Sequence, residues 1–77
     1  MTVPVLRRDG LTHWIVGVRT DGSSEGVDYE VVHVYCGQRT RFKKGYIPQV
    51  FDVPTCLFCI TVQSLYVNTQ MVMDLLR

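Results

Sequence analysis

Two cysteines separated by two residues, Cys56 and Cys59 in "VPTCLFCI", constrain this chain more than any other feature, because its 77 residues hold only three cysteines in all. A C-x-x-C turn can present two thiolates to one metal ion, and a closed structural site then needs two more N or S donors from elsewhere in the sequence. The length makes such a site useful. A single core in so short a chain contributes little net stability, and domains of this size are commonly completed by a metal or a disulfide. Three thiols leave one over in any disulfide scheme, so in a reducing compartment metal ligation is the better use of them.

Hydrophobic residues make up 47% of the chain and charged ones 19%, the composition of a globular rather than a disordered sequence. The formal net charge of +1 excludes a whole-molecule polyanion binder, so a surface for an acidic partner must arise from local clustering. "MTVPVLRRDG" has no long apolar run after its basic residues, and no stretch of about 18 apolar residues follows. Neither a signal peptide nor a membrane span is expected, which leads to a cytoplasmic protein.

"LTHWIVGVRT" (11–20) is rich in β-branched and aromatic residues and alternates Trp14, Val16 and Val18 with His13, Ile15 and Gly17, the pattern of a strand. "DGSSEGVD" reads as a turn, and "YEVVHVYCG" (29–37) returns as a second strand. Closing this hairpin around Ser24 and Glu25 pairs Thr20 with Tyr29, Val18 with Val31 and His13 with Cys36. "QRTRFKKGY" (38–46) is a basic loop or short strand, and the prolines of "IPQVFDVPT" (47–55) suit an extended segment. From about residue 60 to 76, apolar side chains recur every three or four residues, the spacing of an amphipathic helix. The expected fold is a small zinc-stabilised α+β domain spanning 1–77. It comprises a β-hairpin, a possible third strand, a metal region over about 11–60 and a C-terminal helix over about 60–76.

The candidate ligands are Cys36, Cys56 and Cys59, with one histidine. His13 meets Cys36 across the hairpin in the register above. His33, three residues before Cys36 in one strand, points to the opposite face unless a bulge or knuckle intervenes, and stands as the alternative to His13. A set with no histidine, or no zinc at all, is the remaining option, and both imidazoles are then ordinary surface or half-buried strand residues. Zinc is the expected cofactor, since Zn2+ takes mixed Cys and His ligands tetrahedrally and without redox chemistry. Three thiolates and an imidazole leave no open position for water, and no Ser-His-Asp arrangement, phosphate loop or paired-carboxylate pattern occurs, so no enzymatic activity and no small-molecule substrate are expected. A thioredoxin-like redox role for C-x-x-C requires a larger βαβ fold than this length supplies.

The order "THW", then "CGQR", then "VPTCLFC", over residues 11–59, resembles small zinc-binding proteins of bacteria and especially of bacteriophages. Such proteins carry a strand histidine, an isolated Cys-Gly and a later T-C-x-x-C. The resemblance implies His13, Cys36, Cys56 and Cys59 as the metal set. It also implies a cytoplasmic setting in a bacterial or infected host cell, and a non-catalytic regulator that binds host machinery such as RNA polymerase and modulates transcription. A second feature bears on the partner. In "RTRFKKGY", Arg39, Arg41, Lys43 and Lys44 interleave with Phe42 and Tyr46, an arrangement that suits an acidic protein surface or, with rings stacking on bases, a nucleic acid. The same segment reads equally as a solvated loop near the metal. Arg7 and Arg8 extend that patch if the fold brings them close. The alternative function is therefore a nucleic-acid-binding zinc module using residues 39–46.

Overall fold

The computed structural model describes residues 1–76 as an antiparallel sheet followed by one helix. The strands are β1 (Val3–Arg8), β2 (Leu11–Ser24), β3 (Val27–Val34), β4 (Arg39–Lys43) and β5 (Gln49–Asp52), and the helix is α1 (Leu57–Leu75). Their order across the sheet is β4-β3-β2-β1-β5, with every pair antiparallel. The α+β class expected from the sequence is the observed one, and the possible third strand exists as β4. β1, which precedes the hairpin, was not expected, and the segment read only as extended over 47–55 contains a strand, β5, which pairs with β1 so that Pro4 lies opposite Phe51.

The 14 residues of β2 are shared between both halves of the sheet. Its first part pairs with β1, Trp14 opposite Val5, and its remainder pairs with β3 from Ile15 onward. The β2–β3 register differs from the expected one: Thr20 faces Glu30 rather than Tyr29, and Val18 faces Val32 rather than Val31. The cause is the turn. It is a two-residue turn at Glu25 and Gly26, with φ of 52° and 78°, so "DGSS" extends β2 instead of forming a loop. Paired left-handed residues of this kind match the twist of the flanking strands. Two irregularities then each take up one extra residue on β2, between Thr20 and Ser23 and again at Val16. The second brings Ile15 opposite Val34, and there the strand ends return to the expected alignment.

Bulges bend a strand and raise its twist. The sheet is accordingly curled: Arg8 Nη1 at the end of β1 donates to Thr40 Oγ1 on β4 at 2.8 Å, although β2 and β3 stand between those strands. Within the curl, Leu6, Ile15, Val32 and Val34 pack with Cys56 and Cys59, flanked by Trp14, Tyr35, Phe42 and Ile47. Trp14 and Tyr35 meet edge to face, with centroids 5.6 Å apart. The core is small, and two of its buried side chains are cysteines.

The chain enters α1 three residues earlier than expected, at Leu57 rather than about residue 60, which puts Cys56 at the N-cap and Cys59 in the first turn. The expected C-terminal helix is present, and α1 buries only Cys59 and extends away from the sheet. The radius of gyration, 14.5 Å, exceeds the ~11–12 Å of a compact chain this long, and the molecule measures 48 × 31 × 17 Å. Among the described residues, no helix is long and apolar enough to cross a membrane.

Candidate metal centre

Three segments distant in sequence meet at the buried end of the curled sheet. His13 comes from β2, Cys36 from the turn after β3, and Cys56 and Cys59 from the start of α1. One donor atom from each lies within 4.8 Å of the others, and His13 Nδ1 is 3.6 Å from Cys36 Sγ and 3.7 Å from Cys59 Sγ. His13, Cys56 and Cys59 are buried and Cys36 is half-buried. This group can hold a metal ion.

Local backbone structure sets each donor. The Tyr35 amide donates to the Trp14 carbonyl at 3.0 Å, which continues the Ile15–Val34 alignment toward His13 and Cys36. The chain then reverses: the Gly37 amide donates to the Val34 carbonyl at 3.0 Å, and Gly37 sits at φ of 93°, where an L side chain is strained. Cys36 is thereby held at the tip of a tight knuckle. On the other side, a clasp between two threonines ties β2 to the start of the helix. The Thr12 amide donates to Thr55 Oγ1 at 2.8 Å, Thr12 Oγ1 donates to the Val53 carbonyl at 2.7 Å, and the Thr55 and Cys56 amides donate to the Thr12 carbonyl at 3.0 and 3.1 Å. Since Thr12 precedes His13 and Thr55 precedes Cys56, the clasp fixes two donors by fixing their neighbours. Sequence reasoning did not single out these threonines; the one available signal was that each stands directly before a candidate ligand.

The thiols differ in environment. Burial pushes the Cys59 thiol up to about 12, although the backbone amides of Cys36 and Trp14 work in the other direction. Burial also opposes ionisation of Cys56, but the Cys59 amide, the Cys59 thiol and the Phe58 amide together bring Cys56 below the usual thiol value. Those amides belong to the first turn of α1. They face the Cys56 sulfur without forming a capping hydrogen bond, and no acidic side chain occupies that turn, so the positive end of the helix is directed at the sulfur cluster.

The other sequence-derived candidates lie elsewhere. His33 is outside the four-donor group: it pairs with Gly17 and Arg39 on the neighbouring strands and lines a recess of about 420 Å³ with Val16, Val18 and Arg19. Strand alternation explains this, since Val32 and Val34 take the core face and His33 the other. The basic segment forms β4, with Arg39, Arg41 and Lys43 on one exposed face and Lys44 just beyond. Arg41 is engaged there, 2.7 Å from Asp21 and stacked 3.9 Å above the Tyr29 ring. Phe42 points to the opposite face and packs on the core, so it is withdrawn from the surface, whereas Tyr46 is exposed. Of the N-terminal pair, Arg8 reaches β4 through Thr40, while Arg7 turns to Asp52 at 2.8 Å.

Comparison with known proteins adds no relative: no family model, no curated protein and no solved structure matches this chain.

Proposed function

We propose that the chain is a non-catalytic zinc-binding interaction module in which Zn2+, held by His13, Cys36, Cys56 and Cys59, joins the sheet to the helix. The carrying observation is the spacing of the donors. In a tetrahedral site with Zn–S near 2.3 Å and Zn–N near 2.0–2.1 Å, the N···S edge is about 3.6 Å, and the two His13 separations are 3.6 and 3.7 Å. Three thiolates and one imidazole make a closed set, the type found in structural rather than catalytic zinc sites. Metal bound there stabilises the fold, and the exposed surfaces remain for a partner.

The partner proposed first is a protein. β4 is an edge strand with a basic face, suited to an acidic protein surface. The resemblance of "THW", "CGQR" and "VPTCLFC" to small phage and bacterial zinc proteins makes host transcription machinery, RNA polymerase above all, the partner to test. Nucleic-acid binding through residues 39–46 is the second reading, and the burial of Phe42 weakens it by removing one of the two rings available for stacking on bases.

Metal analysis of protein purified without added metal tests the first part. About one zinc per chain is expected, together with the visible absorption of tetrahedral thiolate-ligated cobalt after exchange. Absence of bound metal, or a six-coordinate cobalt spectrum, would remove the reading. Binding to bacterial RNA polymerase and to a generic oligonucleotide, each over a salt series, separates the two partner classes, because phosphate contacts give the steeper salt dependence.

A further inference from the structure

From the geometry of α1 we infer that two copies of this chain associate side by side through their C-terminal helices. Phe58, Val62, Leu65, Thr69, Val72 and Leu76 follow one another at intervals of four, three, four, three and four residues, the a/d spacing of a heptad seam that runs the length of the helix. The side of α1 turned to the sheet is a different one: Cys59 is buried there, and Tyr66 contacts Tyr35 at 6.4 Å between centroids. The seam lies roughly 100° round the helix from that side. It is open to solvent, with Phe58 76%, Leu65 60%, Val72 55% and Leu76 82% exposed.

Thr69 is the one polar member of the seam. Its hydroxyl donates to the Leu65 carbonyl one turn back at 2.8 Å, so the donor is satisfied within the helix and the seam stays compatible with apolar packing.

Area and charge select the occupant. The apolar members of the seam, Phe58, Val62, Leu65, Val72 and Leu76, are all exposed and present on the order of 500 Å², so a two-fold pair buries about 1,000 Å² in all, the lower bound for a specific interface. From Leu57 to Leu75 the single charged side chain is Asp74, two residues after Val72 and therefore roughly 200° round from the seam. Among the described residues, no charge on this face exists to select an acidic or basic partner or to repel a like helix. A surface of this kind is complementary to itself, and a two-fold pair of identical helices buries it on both copies at once. The inference is independent of the metal's identity and of the partner proposed for β4.

The test is sedimentation equilibrium of the full metal-loaded chain in reducing buffer at roughly 1–100 µM. The mass is expected to rise from 8.8 kDa to twice that value with concentration. Leu65→Glu and Val72→Glu should each raise the dimer dissociation constant at least roughly tenfold while zinc content stays unchanged. Met71→Glu, exposed but off the seam, should leave it unaltered. Thr69→Leu, which completes the apolar seam, should tighten association, and this gain keeps the test informative even where the charged variants fold poorly. A monomer at every concentration, a dimer indifferent to Leu65→Glu and Thr69→Leu, or a parent chain that stays monomeric and instead sediments with neutral phosphatidylcholine vesicles would overturn the inference.

Discussion

His13 and His33 occupy the two faces of the same pair of strands, and that alone gives them different chemistry. His13 is buried among three sulfurs, while His33 lines a recess on the far side of the sheet. In His13→Ala the metal affinity, measured by competition with a chromophoric chelator, should fall by at least roughly 100-fold, whereas His33→Ala should change it by less than about threefold. Equal losses would remove His13 from the ligand set. Thr12→Val is a more local test. It deletes the hydroxyl that donates to the Val53 carbonyl, a part-buried hydrogen bond worth about 0.5–1.5 kcal/mol, and loosens the clasp that aligns His13 with Cys56. The expected result is a lower unfolding midpoint and a metal affinity reduced by about tenfold, with one metal still bound per chain. Protons follow the same residues. A thiol raised to about 12, as at Cys59, is protonated at neutral pH in the metal-free fold, so metal binding must displace that proton. Uptake of one metal at pH 7 should release about two to three protons in a weakly buffered indicator solution, and occupancy should be full near neutrality and fall as the pH drops. Uptake without acidification would mean that thiolates do not bind it.

At the scale of elements, the site was more legible than the sheet around it. The candidate ligands follow from residue type and spacing, and His13 opposite Cys36 follows from a hairpin alignment that holds at the Ile15–Val34 end. It does not hold elsewhere. Bulges at Val16 and between Thr20 and Ser23 depend on how the strand bends round the core, and residue alternation carries little trace of them. β1 was missed although "RRDGLT" contains Asp9-Gly10, a two-residue hairpin turn signal between β-rich segments. β5 offered less, because a four-residue edge strand after a proline is defined by its pairing with β1 rather than by its own composition. The basic segment was readable as charge and not as geometry. Strand alternation directs Arg39, Arg41 and Lys43 outward and Phe42 inward, a division that exists only once β4 pairs with β3. Replacing Arg39, Lys43 and Lys44 by Gln should therefore leave metal content and the thermal transition within about 0.5 kcal/mol of the parent, since these are exposed side chains. The same variant should bind an acidic partner more weakly, with a shallower salt dependence. A variant with parental affinity and salt slope would make the β4 face a solvated surface.

For the molecule as a whole, the decisive quantity is how little holds the helix to the sheet. α1 buries only Cys59 and adds the Tyr35–Tyr66 contact, and the threonine clasp ends where α1 begins. The sheet's own core rests on a few aliphatic side chains around Cys56 and Cys59. A metal at the four donors would therefore act on both parts, closing a link among β2, the knuckle after β3 and the helix start, and filling the polar centre of the core. Binding energy at such a site is folding energy, because the ligands come together only in the folded chain. Without a metal, the thiols and the imidazole would simply pack against one another, with no bond joining the sheet to the start of the helix. Complete chelation should therefore abolish the cooperative thermal transition or lower its midpoint by more than about 15 °C, taking roughly 4–8 °C per kcal/mol for a domain of this size. Near-ultraviolet dichroism of Trp14 and Tyr35, which sit on the core beside the site, should collapse together with that transition, and one equivalent of zinc should restore both. An unchanged melting curve and near-ultraviolet spectrum after chelation would show that the sheet and its small core hold the fold unaided, and that the four donors do no structural work.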